Sequence, residues 1–439
     1  MLKKNTGRRG RLGAAALALA VALTGCDSLL EVENPSVIDE EDVTDPAFIP
    51  QMVNAAINEF QTNYSFLAFA GAILTDEAVN GHNYEQWRDI DLRIVEYDNS
   101  QLLTINQYMQ QARAVGEDMT SRLREVVDNP GSSIELATAL AYTGYAYTRM
   151  GEYFCEAPVE PKKPSVSSDA MLEIADERFR EAIQIAQAAG GADGEHILNL
   201  ARVGAARAAL QRGDRDAAIE FASQVPEDFV AYVRYVETPT NQRNYFWTAT
   251  TGTNHTLGVD EKFRDLNDTR VRHMAEGRTG HNQATILYTP VQSPAFADWD
   301  PTVPMDVSDS TLIAELGFKQ GTDMILASYL EAQYILAEAG GMSAAELRAF
   351  INERRAVGGQ GDFTGTDAEL QAELRDQRRR DFFLSGHRLG DLRRYLALYG
   401  VDEFPSGPHP NDEEWGWGNY GSATCFIPHR NEEMGIEKD

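Results

Sequence analysis

No apolar run in this sequence reaches the roughly 20 residues that a membrane-spanning helix requires. The run at the start, Leu12 to Leu23, is too short to cross a bilayer, and no second one reaches that length. Basic residues are scarce as well, 39 Lys and Arg against 68 Asp and Glu, for a formal charge of −29. Binding to a nucleic-acid backbone depends on basic side chains that displace counterions, so this balance argues against such a partner. Catalytic motifs are missing too. The eight histidines show no H-E-x-x-H spacing, no G-x-S-x-G elbow occurs, and carboxylates are too abundant for any two of them to single out a glycosidase pair. These absences do not exclude an enzyme but lower the odds of one, and no metal or other cofactor is expected.

What is present begins at the amino end. Lys3, Lys4, Arg8, Arg9 and Arg11 precede the short apolar run, which leads into Leu23-Thr24-Gly25-Cys26. Positive charge, apolar stretch and small residues in that order form a secretory signal, and the final four residues resemble the lipobox of bacterial lipoproteins. Residues 1–25 are thus expected to be removed and Cys26 to carry lipid, with 26–47 as an acidic, proline-bearing tether and 48–439 as the folded body. Two or three acyl chains, at about 0.8 kcal/mol per buried methylene, hold a folded domain on a membrane. Loss of five positive charges and no negative ones takes the formal charge to −34, the mark of a well-solvated surface. Only two other cysteines exist, Cys155 and Cys425. Export places them where disulfides persist, so they are expected to pair, the alternative being two buried free thiols.

The body reads as mainly α, with little β. Leu172, Ala175, Phe179, Ala182 and Ala186 recur at spacings of three and four on one helical face. Across 196–226, Ala206, Gly213, Ala218, Ala222 and Val225 form a degenerate tetratricopeptide pattern, with Asp214 as the N-cap after a glycine turn. Further helices at 135–151, 326–339, 343–357 and 368–399 would supply neighbouring pairs for a scaffold of tetratricopeptide-like helix pairs. The run 375–395 reads as an amphipathic helix broken at Gly386, with Phe382, Leu389, Leu392 and Tyr395 inward and the arginines solvated or bridging acids; at exposed positions Arg378, Arg379 and Arg380 would add little beyond solvation and weak pairing.

Three long irregular regions interrupt the helices, at about 75–100, 236–323 and 400–428, and they carry all five tryptophans. Long irregular segments on a helical scaffold are usually functional or disordered, and aromatic content favours order. The string Gly416-Trp417-Gly418-Asn419-Tyr420-Gly421 matches G-x-G-x-x-G in letters, but no buried strand precedes it and no helix follows, so it reads as an aromatic glycine-rich turn. Flat aromatic faces can cover the apolar side of a sugar ring while nearby polar side chains bind its hydroxyls. Tyr84, Trp87, Tyr245, Trp247, Trp299, Trp415 and Trp417 are the candidate ligand contacts. Against each stands the possibility that it plugs a loop onto the core.

Five strings in order then resemble the SusD/RagB family of outer-membrane nutrient-binding lipoproteins. They are Cys26 to Pro35 (CDSLLEVENP), Tyr142 to Pro158 (YTGYAYTRMGEYFCEAP), Tyr329 to Ala339 with Leu347 to Val357, Arg378 to Tyr395, and Phe426-Ile427-Pro428 followed by Glu432 or Glu433. Three departures occur: Ser385 stands where the family usually has Glu, Leu389 where it usually has an aromatic, and Cys425 in place of the usual residue at the first proline of the C-terminal string. The resemblance implies a lipid-anchored protein of the outer membrane, on the cell surface. It would capture glycans or other nutrients and deliver them to a SusC-like TonB-dependent transporter. It also implies occasional calcium binding, for which Asp298, Asp300, Asp306 and Asp309 are available, although no metal site is expected. Two other classes remain open at this point, a lipid-anchored glycan hydrolase and a helical-repeat scaffold without a small ligand.

Overall fold

The computed structural model describes residues 45–160, 163–239, 242–250, 255–264, 266, 268–274, 277–291 and 317–428. Cys26, Trp299, the four aspartates between 298 and 309, and Glu432 and Glu433 lie outside them. The chain divides into Met1–Phe48 and Ile49–Asp439. The described residues of the second unit form fourteen α-helices and eight short strands.

The helices are α1 Ile49–Leu74, α2 Glu85–Asp91, α3 Ser100–Val126, α4 Ile134–Tyr153, α5 Ser168–Ala189, α6 Gly191–Gln211 and α7 Arg215–Ala222, then α8 Tyr245–Thr250, α9 Glu261–Arg264, α10 Tyr329–Ala339, α11 Ala344–Val357, α12 Leu370–Asp381, α13 Arg388–Arg394 and α14 Asp412–Trp415. Their starts are written in the sequence. Ser133, Ser167, Asp214 and Ser328 each accept a backbone N–H from the first turn of the helix they precede, and Ser343 with Glu346 closes a reciprocal capping box, devices worth about 1 kcal/mol each. Helices α4, α5, α6 and α7 pack each on the next, and α7 packs on α10. This is a stack of tetratricopeptide-like pairs in which no single pair could bury its apolar face.

Small residues set the spacing of that stack. Phe179 of α5 is fully buried, wedged between Gly144 of α4 and Gly204 of α6. A Cβ at Gly144 would come within 2.7 Å of its ring, and one at Gly204 within 2.3 Å. Tyr145 meets the same ring edge-on at 5.0 Å. The ring thus takes the volume that two side chains would otherwise fill.

The strands are β1 Ala78–Asn80, β2 Glu156–Ala157, β3 Val166–Ser167, β4 Val230–Val233, β5 Leu257–Val259, β6 Arg278–Thr279, β7 Ile286–Leu287 and β8 Met324–Ser328. They pair antiparallel as β1 with β5, β2 with β3, β4 with β8 and β6 with β7. The helix expected over 326–339 accordingly starts three residues late, because 324–328 is a strand partnering β4. Helices α1 and α3 escaped the sequence reading, and short helices, α2, α8, α9 and α14, sit inside regions read as irregular.

Of the two readings of the arginines, bridging acids holds for Arg378 and Arg380. Arg378 and Arg380 are 2% and 8% exposed, not solvated, and the run 375–395 breaks over 382–387, with Leu384 and Gly386 both at positive φ. Behind that break lies a buried ionic network. Arg388 grips both oxygens of Asp76 at 2.7 and 2.8 Å. Asp391 accepts from Arg378 and Arg394, and Arg394 grips Glu338. Arg207 grips Glu152 and reaches the His387 ring at 3.1 Å. Arg149 donates to the Gly386 carbonyl. Although burial opposes its charge, Asp391 is held well below the usual carboxylate range by Arg378 and Arg394. Removing one partner from such a pair strands the other charge, at a cost of about 3–5 kcal/mol.

The wedge around Phe179 leaves no room for an added methyl. Gly204→Ala is expected to lower the melting temperature through overpacking of about 1–3 kcal/mol, and Phe179→Leu in the same chain to recover part of the loss; thermal denaturation of the three proteins reads both effects. Glu77 offers a test by pH. It is 1% exposed and accepts the Leu384 N–H at 2.8 Å. Burial pushes its carboxyl up to about 8 from an ordinary 4.5. Between those values the folded chain holds a proton that the unfolded chain has lost, so this group makes stability fall as pH rises through the window. The melting temperature of Glu77→Gln relative to wild type is expected to rise from pH 5 to pH 8 and then level. A difference that is flat across that range contradicts the assignment.

Candidate ligand-binding face

The three irregular regions meet. β1 pairs with β5 in the register Ala78 with Val259 and Asn80 with Leu257, which ties the first region to the second. Asn282 donates from its backbone to the Gly81 carbonyl and from its side chain to the Asn80 carbonyl and the Thr285 hydroxyl. That hydroxyl also accepts from Asn411 at 2.7 Å, which brings in the third region. Asp91 accepts the Asn80 N–H at 3.1 Å and lies 3.3 Å from His409 Nε2. Gly421 donates to the Leu92 carbonyl, and Arg93 Nε to that of Ala423.

Two groups of aromatics stand on this assembly. In the first, Phe66 and Phe69 of α1 form the floor. Trp87 and Tyr245 each meet Phe69 edge-on at 5.0 Å, and Tyr245 meets Phe66 at the same distance. The His82 ring lies parallel to Trp87 at 5.7 Å and to Tyr84 at 5.8 Å, with interplanar angles of 16°. Tyr84 is the outer ring, 56% exposed, and Trp87 the inner one, 2% exposed. Burial, with His281 nearby, pushes His82 down to about 4, so the ring beneath Tyr84 is neutral at physiological pH. Tyr245 is half-buried, its backbone N–H held by the Ser65 hydroxyl at 2.9 Å. Trp247, also half-buried, has the Arg243 guanidinium 5.7 Å from its ring.

The second group sits on the turn at 407–420. His409 donates its backbone N–H to the Gly418 carbonyl and Tyr420 donates its own to that of Gly407, while Gly416 and Gly418 take positive φ. The glycine string is therefore a tight turn after α14, with Gly418 N–H bound by Asp412. Buried His409 carries Trp417 stacked at 4.8 Å and Tyr420 tilted at 5.0 Å. Trp417 is half-buried, and Trp415 is 48% exposed.

One expected contact needs correction: Trp87 keeps no usable face, because Phe66, Phe69 and His82 enclose its indole. Tyr84, Tyr245, Trp247, Trp415 and Trp417 keep exposed surface. Trp299 lies outside the described residues. Sequence reasoning passed over His82 and His409, which proved to be the flat supports beneath Tyr84 and Trp417. Their only signal was a histidine within a few residues of loop aromatics. Such an array can present apolar ring faces beside amides and carboxylates. Among the described residues no group of three or more His, Cys, Asp or Glu is placed to hold a metal ion.

Two cavities lie elsewhere. One of about 480 Å³ separates Arg93–Glu96 from Gly421–Cys425. Another, of about 360 Å³, lies between the end of α4 and α13. Between them, Cys155 and Cys425 are joined by a disulfide with Cα atoms 5.4 Å apart. The Cys155 N–H donates to the Phe426 carbonyl, and the Phe426 N–H to that of Tyr153, which fixes the last described segment to the end of α4.

A stack of helix pairs carrying aromatic loops defines the class of the protein, a helical-repeat body that presents a loop-built face. Solved structures specify it further. No family profile and no curated protein matches the sequence, but the fold is shared with many solved chains. A SusD-like protein from Bacteroides fragilis aligns over 82% of this chain and 88% of its own at 14% identity, with a TM-score of 0.57. A SusD-like carbohydrate binding protein from Bacteroides vulgatus aligns over 83% and 86% at 14% identity, TM-score 0.55. Surface glycan-binding protein A from Bacteroides uniformis aligns over 87% and 95% at 14% identity, TM-score 0.58. The fold is that of the SusD/RagB proteins.

Reduction of the disulfide, or Cys155→Ser with Cys425→Ser, is expected to destabilise the chain by about 2–5 kcal/mol, since it frees a long closed loop. Denaturant titration with and without reductant measures it, and coincident curves count against a structural role for the bond.

Proposed function

We propose that this protein is a lipid-anchored binding protein of the outer cell surface that captures glycans and passes them to a SusC-like TonB-dependent transporter. Cys26 would bear the lipid. No helix among the described residues is long and apolar enough to cross a membrane, so attachment through lipid is the route the sequence offers. Capture without turnover is supported by the binding proteins that share this fold, a carbohydrate binding protein and a surface glycan-binding protein among them.

One observation carries the reading: two outward rings, Tyr84 and Trp417, each rest on a histidine ring, at 5.8 and 4.8 Å. A ring backed in this way loses little rotational freedom when a sugar stacks on it, so more of the contact energy appears as affinity. Tyr245, Trp247, Trp415 and, from outside the described residues, Trp299 complete the proposed contacts.

The test is a panel of soluble polysaccharides and oligosaccharides followed by affinity electrophoresis and tryptophan fluorescence, with product analysis in parallel. A ligand from the panel is expected to bind unchanged, and Tyr84→Ala and Trp417→Ala each to weaken it about tenfold, the scale of one lost stacking contact. Trp87→Phe should leave affinity near wild type. Release of shorter products would replace capture with hydrolysis, and undiminished binding by both alanine variants would remove the aromatic face from the account.

A further inference from the structure

The cavity beside α13 has an arginine of unusual partnering in its wall. Arg393 donates from Nη1 to the carbonyls of Gly151, Glu152 and Phe154 at 2.8, 2.7 and 3.0 Å, which caps the last turn of α4, where carbonyls have no helical donor. Its other edge, Nε with Nη2, has no hydrogen-bond partner among the described residues, and neither atom is sealed from solvent. That edge is the one that binds a carboxylate through two parallel bonds. Elsewhere in this chain it is filled: Arg388 offers it to Asp76, Arg394 to Glu338, Arg207 to Glu152 and Arg354 to Asp381, each to both oxygens. The carboxylate alongside, Glu152, is taken by Arg207 and Gln211. Among the described residues Arg393 has no ion pair. Burial pushes its guanidinium down to about 10, with Glu152 opposing, so it stays cationic at neutral pH.

The cavity that Arg393 lines is about 360 Å³, within the roughly 300–1,000 Å³ of small-molecule sites. Polar groups surround it. Ser168 gives its proton to the Gly151 carbonyl at 2.5 Å, which leaves its oxygen free to accept. The Gln211 amide donates to Glu152 and keeps its carbonyl oxygen open. Thr424 also lines the cavity, its hydroxyl 3.8 Å from Cys425 Sγ. One cation in a two-donor fork, ringed by acceptors of hydroxyl protons, matches a molecule with one carboxylate and several hydroxyls.

We propose that this cavity is a binding site for a sugar acid of monosaccharide size, its carboxylate held by Arg393 and its hydroxyls by Ser168, Gln211 and Thr424. The site is separate from the aromatic face and stands whether or not that face binds glycan.

Isothermal titration of the whole chain with D-glucuronate and, as the neutral counterpart, D-glucose tests it. Glucuronate is expected to bind at least about tenfold more tightly than glucose. Arg393→Lys retains a charge and donors for the α4 carbonyls but lacks the fork, and should lose about tenfold. Ala397, exposed at the cavity wall, provides a second variant: Ala397→Phe should block entry while the melting temperature holds. Tyr84→Ala should leave glucuronate affinity unchanged. Equal affinity for glucose and glucuronate, or wild-type affinity in both cavity variants, would reduce Arg393 to a helix cap and overturn the proposal.

Discussion

The break at Gly386-His387-Arg388 holds the molecule together because charged groups from six parts of the chain converge on it. Asp76 follows α1, Arg149 and Glu152 lie on α4, Arg207 on α6, Glu338 on α10, Arg378 on α12, and Arg388, Asp391 and Arg394 on α13. A buried charge is tolerated only when it is paired and hydrogen-bonded, so each helix can take only the position that leaves no partner stranded. Apolar packing of small residues alone would let neighbouring helices slide. Directional bonds behind the break remove that freedom, and they do so at the point where the repeat stack meets the loops.

The loops inherit this rigidity. Asp76 and Glu77 lead directly into β1, which pairs with β5, and Asp91 at the other end of the same region touches both Asn80 and His409. The loops that carry the aromatic rings are therefore tied through a short chain of polar contacts to the ionic centre, while the rings themselves pack on Phe66, Phe69 and the two histidines. That arrangement lets Tyr84 stay more than half exposed and yet ordered, since its support, His82, is flat, neutral and itself backed by Trp87.

Much of the architecture was legible in the residues. Phe179 and the alanines around it marked α5, Gly213 and Asp214 marked the turn before α7, and each expected helix has a counterpart. Helices α1 and α3 were not read, although in α3 Leu102, Ile105, Met109, Ala112 and Leu123 are buried on one face; glutamines and charges between them diluted the pattern. That Arg378 and Arg380 bridge acids instead of facing solvent depends on carboxylates the fold brings to them, Asp391 for Arg378 and, for Arg380, Asp268 from more than a hundred residues away beside the local Asp376. Of the candidate contacts, Tyr84, Trp415 and Trp417 keep the exposure that loop position suggested, yet loop position could not separate Trp87, whose burial depends on α1 lying beneath it. The histidine supports were invisible for the same reason: stacking is a property of pairs brought together by the fold.

The bond between Cys155 and Cys425 joins positions 270 apart in the sequence. In topological terms the chain is a ring with two tails, and everything from β2 to the last tryptophan lies on the ring. A protease that cuts once within it opens the ring without releasing a fragment, so the nicked molecule remains whole on whatever holds its amino end. Within the ring, a covalent fragment is freed only by a second cut.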